Sequence, residues 1–252
     1  MIKSRTFSKF PNITHGFFNK NGGSSKGIYK SLNCGMGSLD KKKNVIKNIK
    51  IVCKKIGITR KKLILLNQIH SNKFFFINKN IKKNKKLNGD ALVTNLKNVA
   101  IGVLTADCVP ILIYDKNNNT VSAIHAGWKG LYNKIIYKVI NFLLKKGSEV
   151  KDLAVVIGPC ITKKNYEVKK DFKDKFIKKD KQNKKFFSFK KKKSYFSLND
   201  CVKYQLKKIG IKKIEIINKD TFDVKNSFFS ARRSAKIKEN DYGRNISIIM
   251  IN

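Results

Sequence analysis

The stretch 99–130, VAIGVLTADCVPILIYDKNNNTVSAIHAGWKG, decides how the chain is read. Two apolar runs, Ile101–Tyr114 and Val121–Ala126, flank Asp115-Lys116-Asn117-Asn118-Asn119, a cluster of turn-forming residues, and the pattern predicts an antiparallel β-hairpin. If Tyr114 pairs with Val121, Pro110 faces His125. Side chains alternate between the two faces of a strand, so Cys108 shares the face of Pro110 and lies diagonal to His125, roughly 7–8 Å away. A slip of one residue would turn Cys108 to the other face. A thiolate and an imidazole this close can share a metal ion or form a nucleophile–base pair. Cys108 can equally be a small buried hydrophobe and His125 a hydrogen-bonded core residue, and spacing alone leaves these readings open.

With 252 residues the chain can bury a full core, and the absence of a Pro-, Gly- or Ser-rich linker or an internal repeat predicts a single domain over 1–252. The formal net charge of +41 would ordinarily point to nucleic acid or an anionic membrane. Here the charge is spread from end to end, and only five of the 57 basic residues are Arg, at 5, 60, 232, 233 and 244. Lys, Asn and Ile, residues of A/T-rich codons, are abundant throughout. No Arg cluster with stacking aromatics and no known reader motif accompanies the charge, so no specific nucleic acid partner is expected, only salt-sensitive polyanion binding. The five cysteines, at 34, 53, 108, 160 and 201, form no Cys-x-x-Cys and suit a reducing cytoplasm. No signal peptide and no membrane-spanning run is recognised, and a monomer is the simplest expectation.

Around the hairpin, residues 11–39 carry six glycines, and Gly22-Gly23-Ser24-Ser25 with Lys20 is a candidate anion cradle, or else a plain glycine-rich loop. Asp40 can cap a helix with Val45, Ile46, Ile49, Val52, Cys53 and Ile56 on one side. Leu63–Leu66 and Phe74–Ile77 read as strands on either side of Asn67-Gln68-Ile69-His70, and 81–88 as a solvated loop before the short strand 89–94. After the hairpin, Leu131, Ile135, Val139, Phe142 and Leu143 predict one helix ended by Gly147, then comes a buried strand Leu153–Ile157. Residues 169–193 are so rich in Lys that they read as a solvated helix plus loop. Ser197 caps a helix running to Gly210, and the strands Ile214–Ile217 and Ile246–Ile251 enclose Phe228-Phe229-Ser230-Ala231-Arg232-Arg233, where two arginines can hold an anion. Strands and helices alternate irregularly and include a hairpin, which predicts an α+β fold with a mixed, largely antiparallel sheet flanked by helices.

Nine segments in order, HGFFNKNGG (15–23), SLNCG (31–35), NQIH (67–70), GDALVT (89–94), LTADCVPIL (104–112), HAGWKG (125–130), IGPCI (157–161), YEV (166–168) and FFSARR (228–233), resemble the bacterial laccase-domain proteins. That family was first labelled multicopper polyphenol oxidase and is also described as purine nucleoside phosphorylase and as peptidoglycan editing factor. The resemblance covers nearly the whole chain. It implies one catalytic Zn2+ held by His70, Cys108 and His125 at the end of the central hairpin, with a fourth position open. It also implies phosphorolysis of adenosine, inosine, guanosine and methylthioadenosine, adenosine deamination, and Lys20, Asn33, Arg232 and Arg233 as contacts to phosphate or ribose. Asp107 is the nearest carboxylate in sequence for a proton shuttle, but strand alternation turns it away from Cys108. Alternatives are a cytoplasmic cysteine hydrolase using Cys108 and His125, a peptidoglycan-precursor editing enzyme, and a basic nucleic-acid-binding protein. Copper oxidases need many histidines, and this chain has three, at 15, 70 and 125. The chain departs from the family pattern at Lys20, where many relatives have Arg, in SLNCGMGSLD, which lacks a His-Val-Gly-Asp run, and at Lys219-Asp220-Thr221, which replaces a Cys-Thr pair.

Overall fold

A computed structural model describes residues 1–78 and 87–252. Its strands are β1 (Ile13–Phe17), β2 (Leu63–Ile64), β3 (Phe74–Ile77), β4 (Ala91–Thr94), β5 (Ala100–Thr105), β6 (Val109–Asp115), β7 (Thr120–Ala126), β8 (Leu153–Ile157), β9 (Glu167–Val168), β10 (Phe187–Lys190), β11 (Lys193–Phe196), β12 (Lys213–Ile216) and β13 (Asn245–Ile251). The α-helices are α1 (Lys42–Lys55), α2 (Trp128–Tyr132), α3 (Ile135–Lys145), α4 (Lys170–Lys179), α5 (Leu198–Lys208) and α6 (Ala231–Lys236). The fold is α+β with mixed sheets, as the sequence predicts. A six-stranded sheet runs in the order β12-β8-β6-β7-β4-β3 and a four-stranded sheet in the order β1-β13-β5-β2.

The central hairpin has the expected register, with Tyr114 opposite Val121 and Pro110 opposite His125. Its turn closes on Asp115, whose carboxylate accepts the backbone N–H groups of Asn117 and Asn118. The run Ile101–Tyr114, however, is not one strand. β5 lies in the four-stranded sheet and β6 in the six-stranded one, and the chain crosses between them at Ala106-Asp107-Cys108. The break falls where the buried Asp107 carboxylate must find polar partners, an oxygen accepting from Thr221 Oγ1 at 2.6 Å and another from Arg232 N at 2.9 Å.

The two sheets pack face to face and helices cover both outer faces, giving four layers. Leu112 and Tyr114 of β6, Ala154 and Val156 of β8, and Ile101, Val103, Ile249 and Ile251 of the other sheet fill the space between the sheets. The alternate residues Ile111, Ile113, Val155 and Ile157 face α3 and α5, and Ala100, Ile248 and Met250 face α1. The strands at the centre are thus buried on both sides, and each apolar side chain so enclosed contributes about 1.5–3 kcal/mol.

Several local expectations need correction. α1 starts at Lys42 with no side-chain cap, because Asp40 instead accepts from Ser25 Oγ at 2.6 Å and Asn33 Nδ2 at 3.0 Å. Ile46 is exposed. The helix expected from Leu131 onward is divided into α2 and α3 by Lys134, which takes a left-handed conformation with φ of 61°. Residues 169–193 are more than a solvated helix and loop. Phe172 and Phe176 of α4 stack at 4.7 Å and pack with Phe196 beneath a small sheet in the order β10-β11-β9. The glycine-rich loop is no anion cradle, since the N–H groups of Gly23, Ser24 and Ser25 are spent on Ser31 Oγ, Asn48 Oδ1 and the Ser31 carbonyl. Gly23 is needed for close approach, because a Cβ there would sit 2.3 Å from the Ser31 carbonyl oxygen. Positions 81–86 of the lysine-rich loop expected over 81–88 lie outside the described residues.

The N-terminal segment is clasped to β1 by the 2 % exposed His15, whose Nε2 accepts the Ser4 N–H at 2.7 Å. Burial, together with the nearby charge of Lys3 and only partly opposed by Glu215, lowers the pKa of His15 to about 4. The unfolded chain therefore takes up a proton at this residue below its ordinary value of 6.5, whereas the folded chain does so only near 4. Stability is lost as pH falls through that window, by about 3 kcal/mol at most. Urea unfolding of the native protein and His15→Gln between neutral pH and about pH 4 should show this component only in the native protein, because the amide oxygen keeps the acceptor without the titration. Equal pH slopes would refute the assignment.

Candidate metal centre

The crossing between sheets delivers Cys108 to the end of β6, and the hairpin register brings His125 of β7 to it. His70 arrives from the loop after β2. One donor atom from each of His70, Cys108 and His125 can be chosen such that all lie within 4.8 Å of one another. Among the described residues these three are the cluster of metal-ligating side chains. His125 is buried, Cys108 half-buried and His70 exposed, so the cluster has a closed floor and one side towards solvent. The His70 and His125 rings stand nearly perpendicular, at 79°, with centroids 4.9 Å apart.

Asp90, fully buried at the start of β4, organises the cluster. Its Oδ1 accepts from His125 Nδ1 at 2.8 Å and from the His70 N–H at 3.0 Å, and its Oδ2 accepts from Ser71 N at 2.6 Å and Ser71 Oγ at 2.7 Å. Its carbonyl oxygen accepts the His125 N–H at 2.7 Å. Burial works against ionisation of Asp90, but the bonds from His125 and Ser71 outweigh it and hold the carboxyl below its ordinary value. The carboxylate thereby fixes His125 with its proton on Nδ1 and Nε2 free for the centre. It also holds His70 in a left-handed conformation, φ 56°, which a non-glycine residue adopts at a cost of about 1 kcal/mol or more.

Burial would raise the Cys108 thiol, but His125 and then His70 overcome it and bring the value down to about 6. Burial would likewise lower His125, and the Cys108 thiolate and Asp90 overcome it, raising that value to about 9. At neutral pH the metal-free pair is a thiolate beside an imidazolium, so metal binding displaces the imidazolium proton. Gly127 leaves room for the pair, since a Cβ there would meet Cys108 Sγ at 2.9 Å and His70 Cδ2 at 3.1 Å.

The other residues singled out in the sequence are placed unequally. Arg232 lies beside the Cys108 turn through its bond to Asp107, and its Nη1 donates to the Glu167 carbonyl at 2.7 Å. Arg233 ties the carbonyls of Thr221, Phe222 and Phe228. Asn33 is fully buried, with Nδ2 donating to Ser38 and Asp40 and Oδ1 accepting from Gly35 and Arg244 N–H groups. Lys20 is half-buried, its backbone paired to Ser227 and Leu32. Reading the sequence missed the role of Asp90, and it placed Gly127 at a strand-to-helix junction without seeing that it leaves room for Cys108 and His70. Both lie within recognised motifs, GDALVT and HAGWKG, and the clue available was a carboxylate just ahead of a buried strand.

Asp90→Asn keeps the shape but weakens the acceptor at both histidine positions. Metal affinity should fall by about 10–100-fold, read by competition with a chromophoric chelator. An unchanged affinity would show that the carboxylate does not organise the centre.

Comparison with known proteins gives the centre its setting. A profile described as multi-copper polyphenol oxidoreductase laccase matches residues 14–252. A purine nucleoside phosphorylase of Rickettsia conorii is 35% identical over 212 residues, covering 82% of this chain and 86% of that protein. One of Haemophilus influenzae is 31% identical over 243 residues, covering 95% of each. Among solved structures, the YfiH hypothetical protein of Bacillus licheniformis superposes with a TM-score of 0.88 at 28% identity, over 98% of this chain and 94% of that one. The chain belongs to the multi-copper polyphenol oxidoreductase laccase family.

Proposed function

We propose that the protein is a zinc-dependent purine nucleoside phosphorylase acting on adenosine, inosine, guanosine and methylthioadenosine. The observation that carries this is the His70–Cys108–His125 cluster with its open side, in a chain whose relatives are named purine nucleoside phosphorylases. Two imidazoles and one thiolate within 4.8 Å suit Zn2+, and three protein ligands rather than four suit a catalytic ion. When bound, the ion supplies a Lewis acid that polarises substrate.

The chain's own residues do the remainder. Asp90 orients His125 and shapes the His70 turn. Arg232, with most of its N–H donors unspent, binds phosphate for attack at C1′ of the ribose, where positive charge builds as the purine leaves. Lys20, in the HGFFNKNGG segment, adds a point charge without the bidentate geometry of Arg. Arg233 and Asn33, whose polar atoms are bonded within the protein, support the walls rather than touch substrate. Asp107 is a positioning residue: its carboxylate is committed to Thr221 and the Arg232 N–H and does not shuttle protons. That favours phosphorolysis as the main activity, with adenosine deamination the lesser.

A second reading has one observation in its favour: the thiolate–imidazolium pair is also what a cysteine hydrolase, including one that edits peptidoglycan precursors, would use. It leaves His70 without a task. One experiment separates the two. Metal content and release of base from inosine or adenosine are measured with and without phosphate, for the native protein, the chelator-treated protein and Cys108→Ala. Phosphorolysis predicts bound zinc and phosphate-dependent release, both lost on chelation and in Cys108→Ala, by at least about 100-fold in rate. Activity that survives chelation but not Cys108→Ala would turn the assignment to the hydrolase. Activity that survives Cys108→Ala would sink both.

A further inference from the structure

Tyr166 lies in the segment between β8 and β9. That segment is tied to the metal-site crossing by the Ile161 N–H, which donates to the Asp107 carbonyl at 3.1 Å. Arg232 is tied to the same crossing through the Asp107 carboxylate. The two side chains meet there, with the Arg232 guanidinium carbon 5.1 Å from the Tyr166 ring centroid. The ring also packs edge-on with Phe172 and at a tilt with Phe196, both with centroids 6.4 Å away.

Two features of the pair are unspent. Arg232 forms no ion pair among the described residues, and one guanidinium nitrogen is engaged, on the Glu167 carbonyl. The half-buried Tyr166 makes no hydrogen bond through its hydroxyl among the described residues. A phenol is neutral at physiological pH and donates its O–H. A guanidinium fork and a phenol O–H fixed side by side suit a ligand made almost wholly of acceptors. A purine edge or a ribose hydroxyl needs acceptors as well as donors, while a phosphate dianion needs donors.

We propose that Tyr166 and Arg232 form the subsite for inorganic phosphate beside Cys108, with Tyr166 a substrate-binding residue. This rests on the phosphorolysis reading and deepens it.

Tyr166→Phe tests it cleanly, since the ring that packs on Phe172, Phe196 and Arg232 is kept and only the O–H is removed. Steady-state kinetics with inosine and phosphate varied separately should show the KM for phosphate raised about tenfold, with the KM for inosine, the zinc content and Tm unchanged. Arg232→Lys, which keeps the charge and loses the fork, should raise the same constant. In the double variant the two effects should fall short of their product, as expected of donors sharing one ligand. An unaltered phosphate KM in Tyr166→Phe, or a rise confined to the inosine KM, overturns the subsite while leaving phosphorolysis standing. A native protein that releases base without any dependence on phosphate overturns the phosphorolysis reading and the subsite together.

Discussion

The buried carboxylate of Asp90 is the interaction on which the centre depends. An ionised side chain with no exposure is tolerable only when donors surround it, and here four donors do so: the His125 ring, the His70 and Ser71 N–H groups and the Ser71 hydroxyl. Because those donors come from two separate parts of the chain, satisfying the carboxylate and assembling the centre are one event. The His70 turn has no regular secondary structure to hold it. Its left-handed backbone is fixed by the same carboxylate oxygen that orients His125, so the distance between the two imidazoles is set by one rigid group rather than by two loops.

A second buried carboxylate does the corresponding work on the other side. Asp107 interrupts what would otherwise be a continuous strand, and its two oxygens capture Thr221 and the start of α6. The interruption sends β5 and β6 into different sheets and leaves Cys108 at the seam, where a strand end can point its sulfur towards β7 and the His70 loop. The same carboxylate holds Arg232 next to the centre. Adjacent residues thus divide the labour: Cys108 faces the two histidines, and Asp107 faces the scaffold that carries Arg232.

How much of this is legible in the sequence follows from the range of the interactions. The hairpin and its register are legible because Asp115 and the asparagines after it close the turn locally, and the register alone pairs Pro110 with His125. His70, at a strand end in a polar setting, is a candidate ligand on its own residues, but only the family resemblance joins it to Cys108 and His125, which lie far from it in sequence. Asp90 is invisible because its partners lie 19 to 35 residues away. The change of sheet at Ala106–Cys108 is hidden because β5 and β6 are both buried on two faces and so read as one apolar run. In 169–193 the density of Lys masks Phe172 and Phe176, whose rings point inward while the ammonium groups stay in water.

The charge excess and the site are resolved by the same distinction between Lys and Arg. Of the five arginines, Arg60, Arg232, Arg233 and Arg244 all donate to backbone carbonyls, from Leu63, Glu167, Thr221, Phe222, Phe228 and Tyr242. A planar fork can bond several carbonyls in fixed directions, and a flexible ammonium holds such geometry poorly. In a chain whose positive charge is overwhelmingly Lys, the guanidinium is found where direction matters. Arg233 bonds three carbonyls of the segment before α6 through both of its terminal nitrogens and braces that segment. Arg232, one residue away, spends a single nitrogen and lies over Tyr166 beside the centre, and that difference in hydrogen-bond use is why Arg232 rather than Arg233 is proposed as the phosphate contact.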